Sequence, residues 1–373
     1  MLDKEIAELR RHLRPDRIAL AALFGCLVNE KKEIVTVFRQ PLAAASQEDT
    51  GAILTLLRKV LSGVPDKNLL TLPFTNEQVM DSDVHRMLSA LRSADEAGEA
   101  AANDLFRQLA ENAVMDGPYM ILLLTDAYDV PGAAKDGGEA DSEEVFRYCV
   151  TALCPLKETK PALGFFPGEN ALGTLGVNNV LAAPAVGFLF PCFDDRTANI
   201  YDVLYYTRDS AANHPEIIDA VLQTVIPMPA DEQKETFSDL LHESLGEDCS
   251  LKVALTLRDA FDEQLADYKT AGEDEERPVV TKQTVTRLLS VCGVTPEKVE
   301  AFTAEYDARF GGAALPPQNL IGGRQIEVNT PDVQIRVNPD RSDLIKTETI
   351  DGVRYILIRA ENGVEVNGID VTI

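Results

Sequence analysis

No Cys-x-x-Cys pair occurs in the chain, although it holds six cysteines, at positions 26, 149, 154, 192, 249 and 292. Zinc ribbons and dithiol redox sites depend on that close spacing, so both are excluded. The four histidines are scattered, and no His-x-x-x-His is present to build a helical metal site. Phosphate loops are missing as well. "GENALGTLG" (168–176) has glycines but no Gly-Lys-Ser/Thr, and no Gly-x-Gly-x-x-Gly appears anywhere. The expectation is a protein with no structural metal and no cofactor.

Apolar runs are short. The longest, "IALAALFGCLV" (18–28) and "VLAAPAVGFLFPCF" (180–193), fall below the roughly 18 residues needed to cross a bilayer, and the second contains prolines. The opening "MLDKEIAELRRHLRPDR" is charged from its third residue, unlike a signal peptide. A cytoplasmic protein with no membrane partner is expected. Positive charge is scarce: 35 basic against 61 acidic side chains leave a formal charge of −26. That field repels phosphate backbones, so nucleic-acid binding would need a local basic patch. What is abundant is apolar material, 45% of the chain, enough for a sizeable core. At 373 residues, two or three domains are expected.

Leu2, Ile6, Leu9 and Leu13 recur at helical spacing, and Pro15 ends that helix. Two apolar runs flanking Asn29–Lys32 predict a hairpin. A helix is predicted over 48–62, a strand over 69–74, and two helices over 76–114. Tyr119 to Leu124 is uniformly apolar, as in a strand covered on both faces. An acidic, Gly-rich loop (132–144) separates it from a strand over 145–156. In that strand Cys149 and Cys154 are an odd number of residues apart and face opposite ways.

"GFLFPCFDDRTANIYDVLYYT" (187–207) packs six aromatic residues around a charged knot. Its β-rich flanks predict strand, loop, strand, with the loop centred on Asp195–Asn199. After Arg208 helices dominate, among them a pair over 281–310, with Gly293 ending the first and Thr295–Pro296 opening the second. From Arg324 the pattern is all strand, with Asp351-Gly352 and Asn367-Gly368 as turns. The expected units are 1–210, 211–312 and 324–373. The fold class is α+β, with a mixed, mostly antiparallel sheet, flanking helices, a helical segment and a small C-terminal β unit.

Four groups of residues carry candidate chemistry. Asp126 and Asp129 close the apolar strand and could bind a cation or share a proton, or simply terminate the strand. Asp194, Asp195, Arg196, Asn199 and Asp202 could form a metal or anion site, or an internally paired turn. Cys192 with His214 would be a nucleophile and base, but no third group orients the histidine. Arg10, Arg11, Arg14 and Arg17 concentrate positive charge on the first helix and are the candidate nucleic-acid contacts, against the alternative of a solvated face. The second helix of the 281–310 pair carries Glu297, Glu300, Glu305 and Asp307 and is unsuited to a DNA groove.

The segments "CLVNEKKEIVTVF", "EQVMDSDVHRML", "GFLFPCFDDRTANIYDVLYYT", "MPADEQKETF" and "GVRYILIRAENGVEVNGI" resemble an uncharacterised bacterial family, domain of unknown function 4317, over essentially the whole chain. That resemblance implies no activity. In order and pattern, the opening hairpin, "GPYMILLLTDAYDV", the 187–207 hairpin and "LRDAFDEQLADYKTAGEDEERPVVTKQTVTRLL" are also similar to the bacterial nucleoid-associated protein family of the NdpA type. This second resemblance implies association with DNA. The acidic balance and the tail from Glu361 to Ile373 depart from it, and no binding residue carries over. The function expected is a non-catalytic cytoplasmic interaction protein with protein partners and weak or indirect DNA association. The competing class is a metal-dependent enzyme built on Asp126, Asp129, Asp194 and Asp195.

Overall fold

The computed structural model describes residues 1–18, 21–133, 139–168, 170–176, 179–272, 275–321, 325–360, 363–366 and 369–371. The chain divides into two compact units, Met1–Ala230 and Asp231–Ile373.

The first unit runs α1 (Asp3–His12), β1 (Ala22–Val28), β2 (Ile34–Pro41), α2 (Gln47–Arg58), β3 (Leu69–Pro73), α3 (Asn76–Asp81), α4 (Asp83–Ala90) and α5 (Glu96–Asn112). It continues through β4 (Tyr119–Ala133), β5 (Glu139–Glu158), β6 (Ala162–Phe166), β7 (Ala171–Leu175), β8 (Asn179–Leu181), β9 (Val186–Phe190), β10 (Cys192–Asp194), β11 (Thr197–Asn199), β12 (Asp202–Thr207) and α6 (Pro215–Ile217). Its main sheet has the order β2-β1-β4-β5-β9-β12-β3, with β8 added beside β5. Every pairing in it is antiparallel.

Local chemistry sets the turns. The Asn29 side-chain oxygen accepts from the Lys31 and Glu33 amides, both at 2.9 Å, and closes the β1–β2 hairpin. Where two helices were expected over 76–114 there are three. The Ser82 hydroxyl caps α4 at the His85 amide and Asp95 caps α5 at the Gly98 amide, so two polar caps divide the stretch.

Apolar side chains cover both faces of the sheet. On one side Phe24, Ile121, Leu123, Cys149 and Phe188 pack with Leu88, Leu105 and Phe106 of α4 and α5. On the other, Leu122, Leu124, Val150 and Cys154 pack with Ile6 and Leu9 of α1 and Leu54 and Leu57 of α2. Tyr119–Leu124 thus feeds two cores from one strand, and Cys149 and Cys154 fall on opposite faces, as their odd spacing predicts. Each fully buried Leu, Ile or Phe stabilises by roughly 1.5–3 kcal/mol, well above the ~0–1 kcal/mol of an exposed ion pair. Strand β4 is therefore the mechanical centre of the unit. Gly187 sits where the sheet meets the segment after α2: a Cβ there would lie 2.5 Å from the Thr151 carbonyl oxygen and 2.7 Å from a Val60 methyl.

Strand β4 runs beyond the predicted Leu124 to Ala133, and β5 begins at Glu139, so both extend into the stretch expected as an acidic loop. Residues 134–138 of that loop lie outside the described residues. The 187–207 segment is a hairpin, but its turn is tighter than expected. Asp195 and Arg196 take left-handed conformations (φ 49° and 58°), and Thr197–Asn199 already pairs with Cys192–Asp194. Two consecutive positive-φ residues match the right-handed twist of the strands, so no longer loop is needed. Residues 211–230 pack with the sheet rather than with the later helices, because Ile217, Ile218, Val221 and Leu222 enter the α4–α5 core.

The second unit holds α7 (Ala230–Leu245), α8 (Leu251–Ala271), α9 (Lys282–Cys292), α10 (Pro296–Phe310) and α11 (Pro317–Leu320). Phe237, Phe261, Phe302 and Tyr306 meet edge-on or tilted among these helices, at centroid distances of 5.8–6.4 Å. Gly293 (φ 92°) ends α9, as expected. Three two-stranded hairpins follow: β13 (Ile326–Asn329) with β14 (Gln334–Val337), β15 (Ile345–Ile350) with β16 (Val353–Ile358), and β17 (Val364–Val366) with β18 (Ile369–Val371). Asp351 and Gly352 form the β15–β16 turn with positive φ. The Asn367-Gly368 turn lies outside the described residues. Among the described residues no helix is long and apolar enough to cross a membrane.

Candidate functional site: the polar seam and basic cleft of the first helix

Helix α1 carries three kinds of side chain. Ile6, Leu9 and Leu13 anchor it in the core. Met1, Glu5, Glu8 and His12, at three- and four-residue steps, share one face. Arg10 and Arg11, and Arg14 in the bend just after the helix, point elsewhere.

The polar face is a seam along the sheet. The Met1 amine lies 2.5 Å from Asp194 Oδ1. Glu8 Oε1 accepts from the Tyr128 hydroxyl at 2.7 Å and from an Arg196 guanidinium nitrogen at 3.0 Å. His12 Nε2 lies 2.8 Å from Asp126 Oδ2, which also accepts from the Tyr148 hydroxyl at 2.8 Å. The His12 ring lies tilted against Tyr128, with centroids 4.3 Å apart and planes 38° apart. His12 and Asp126 are both buried, and the second oxygen of Asp126 has no hydrogen-bond partner. Burial, reinforced by the Asp126 charge, holds the Tyr148 phenol well above its ordinary pKa. Burial, then the Glu8 hydrogen bond, pushes Tyr128 up to about 12. Both phenols are therefore fixed donors at neutral pH, and the seam is a docking device: Asp126 and Glu8 accept, the helix and sheet donate.

The four aspartates do not come together as a metal cluster. Asp126 and Asp129 are three residues apart in β4, so they point to opposite faces; Asp126 is buried and Asp129 is exposed. Asp194 is held by Met1 and by the Asn199 amide at 2.6 Å, and the same amide donates to Asp202 at 2.7 Å. Burial, opposed by that hydrogen bond and aided by Asp194, raises the Asp202 pKa. Asp195 is an exposed turn residue. Among the described residues no group of three or more His, Cys, Asp or Glu could hold a metal ion.

Cys192 and His214 serve separate structures. Cys192 is buried in the core, and burial holds its thiol well above the ordinary value. His214 Nδ1 lies 3.1 Å from Glu216 Oε1.

The nucleic-acid candidates separate as well. Arg10, Arg11 and Arg14 line a cleft of ≈ 460 Å³ with Ala7, Thr55, Arg58, Lys59 and Ser62. Arg17, exposed in the turn after α1, is not part of its lining. Arg58 and Lys59, at the end of α2, are the cleft residues that sequence reasoning missed. Their adjacency in "LLRKVL" was the available signal, but nothing local says that α1 lies beside it.

Several basic residues of the second unit are held in ion pairs. In the 281–310 pair, Lys282 meets Asp307, Lys298 meets Asp248, and Arg309 meets Glu243 and Glu305. In the β tail, Arg336 meets Glu327, and Arg341 and Arg359 both meet Asp343.

An antiparallel sheet covered on both faces, with a helical and hairpin unit after it, defines an α+β protein with a docked N-terminal helix. The chain belongs to the family described as domain of unknown function (DUF4317), whose sequence profile matches residues 1–369. No curated protein matches the sequence.

Proposed function

We propose that the protein is a non-catalytic interaction protein of the cytoplasm that binds a protein partner by strand addition at β2. One observation carries this reading: β2 is an edge strand whose side chains are exposed almost throughout. Ile34, Val35, Val37 and Phe38 stay 36–57% accessible, and Ile34–Phe38 contains neither a charge nor a proline. Edge strands are normally blunted by Lys, Pro or a bulge within the strand, because an open apolar edge pairs with other chains. Here those features lie only at the ends of the run: Glu30, Lys31, Lys32 and Glu33 precede it with charges that cancel, the register shift sits at Ile34 opposite Val28, and Arg39, paired with Glu99, and Pro41 follow it. The fitting partner is an uncharged, apolar extended segment, pairing main chain to main chain.

Any place in the nucleoid then comes through that partner rather than through direct DNA contact. What suggests this extension is the order and pattern of segments read from the sequence alone. A metal-dependent enzyme built on the aspartates gains no support from their placement on different faces and in different hydrogen-bond networks.

The test is recovery of partners by the tagged protein from its host, with and without nuclease, compared with a Val35→Lys/Val37→Lys variant. The expected result is a stoichiometric protein that survives nuclease and is lost with the lysines. Equal recovery by both forms, or recovery abolished by nuclease, refutes the strand-edge reading.

A further inference from the structure

We propose that the cleft between α1 and α2 is a binding site for a compact phosphate-bearing ligand. Five cations line it: Arg10 and Arg11 of α1, Arg14 in the bend after it, Arg58 at the end of α2 and Lys59 just beyond it. None of the five has a carboxylate within ion-pair distance among the described residues, in a chain with 61 acidic side chains. Lys282, Lys298 and Arg336, by comparison, each have a carboxylate partner. Arg58 spends one nitrogen on the Thr55 hydroxyl, at 3.0 Å. The Arg10 Nε is buried without an acceptor. Guanidinium forks are suited to phosphate oxygens because they offer parallel donors, and Lys59 adds a point charge.

A plainer account would have these residues complement the C-terminal ends of α1 and α2, where Arg10, Arg11 and Arg58 lie in the last turns. Each helix end carries only about half a negative charge, so the two offset about one of the five. Roughly four positive charges remain without a paired carboxylate, converging on one concavity, and a multivalent anion there would meet several of them at once.

The size favours a small molecule over a polymer. A concavity of ≈ 460 Å³ falls in the range of small-ligand pockets, about 300–1,000 Å³. A long polyanion would press its remaining phosphates on the rest of a chain whose net charge is −26. This site is independent of the β2 edge.

Titration of the full chain with sodium tripolyphosphate at low salt, followed by calorimetry, tests the proposal. The expected result is one saturable site. Its affinity falls at least tenfold in Arg10→Gln/Arg14→Gln and in Arg58→Gln, and stays within about twofold of wild type in Arg17→Gln and in Val35→Lys/Val37→Lys. Circular dichroism and a thermal melt check folding, and Arg58→Gln on α2 decides the matter if the α1 variant does not fold. No saturable binding, or equal weakening by Arg17→Gln, overturns the proposal. Duplex DNA bound more tightly than tripolyphosphate, with dependence on Arg17, overturns it in favour of a nucleic-acid surface.

Discussion

His12 and Asp126 are 114 residues apart in the chain and 2.8 Å apart in the fold, both buried between α1 and the sheet. Removing His12 leaves the Asp126 carboxyl in a low-dielectric site with the Tyr148 hydroxyl as its remaining donor among the described residues. His12→Ala should therefore destabilise the first unit by about 1–3 kcal/mol, the usual cost of removing one of the donors that satisfy a buried polar group. Replacing the whole group, His12→Leu with Asp126→Leu and Tyr148→Phe, should cost less than His12→Ala alone, since no polar atom is then stranded. Urea unfolding of both variants orders the two values; a triple variant less stable than the single one contradicts this account.

Asp202 provides the pH-dependent prediction. Its folded pKa lies above the unfolded value of about 4, mainly through burial. The folded state thus holds this proton more tightly than the unfolded chain does. Stability falls as pH rises from about 4 through the folded pKa, then levels off. Asp202→Asn keeps an acceptor for Asn199 and removes the charge, so it should be more stable than wild type at pH 7 and indistinguishable at pH 3. Melting temperatures at the two pH values measure the difference, and a variant less stable at pH 7 reverses the sign assigned to burial.

Gly187→Ala should destabilise by about 1–3 kcal/mol, the range for an overpacked core. The added methyl would meet the Thr151 carbonyl, a backbone atom that cannot rotate away. Adding Val60→Ala should recover only the part of the loss owed to the valine methyl. Full recovery in a denaturant series would locate the clash in the side chain instead.

The thiols should titrate in two classes. Cys26, Cys149, Cys154 and Cys192 are buried, and burial pushes Cys26 up to about 11 and Cys149 and Cys154 up to about 12. Cys249 is exposed and Cys292 partly so. A disulfide reagent at pH 8 should find no more than two reactive thiols in the native protein and six in urea. Rapid native labelling of Cys149 or Cys192 would mean that the sheet opens far more readily than its packing implies.

Much of the architecture could be read from local pattern. Leu2, Ile6, Leu9 and Leu13 announce α1, Asn29–Lys32 announces the first hairpin, and Tyr119–Leu124 announces a strand covered on both sides. The separation of Asp126 from Asp129 was readable too, by the parity that places Cys149 and Cys154 on opposite faces. What local pattern lacks is pairing across distance. Nothing near His12 points to Asp126 or Tyr148, and nothing near Arg10 points to Arg58, because helix docking is decided by the summed apolar faces of α1, α2 and the sheet. The tight Asp195–Arg196 turn was missed for a different reason: arginine rarely adopts positive φ, so composition suggests a longer loop.

The direct opposition of Asp126 on β4 and Tyr148 on β5 has a consequence for how the sheet finds its alignment. Where both surfaces of a strand are oily, sliding it by one position exchanges the two oily surfaces at little hydrophobic penalty, and greasiness alone cannot tell right from wrong. A slipped β4 would send Asp126 toward α4 and α5, away from His12 and Tyr148. The aspartate thus acts as a key cut for one lock, selecting a single threading of the two longest strands from neighbours that bury the same amount of carbon.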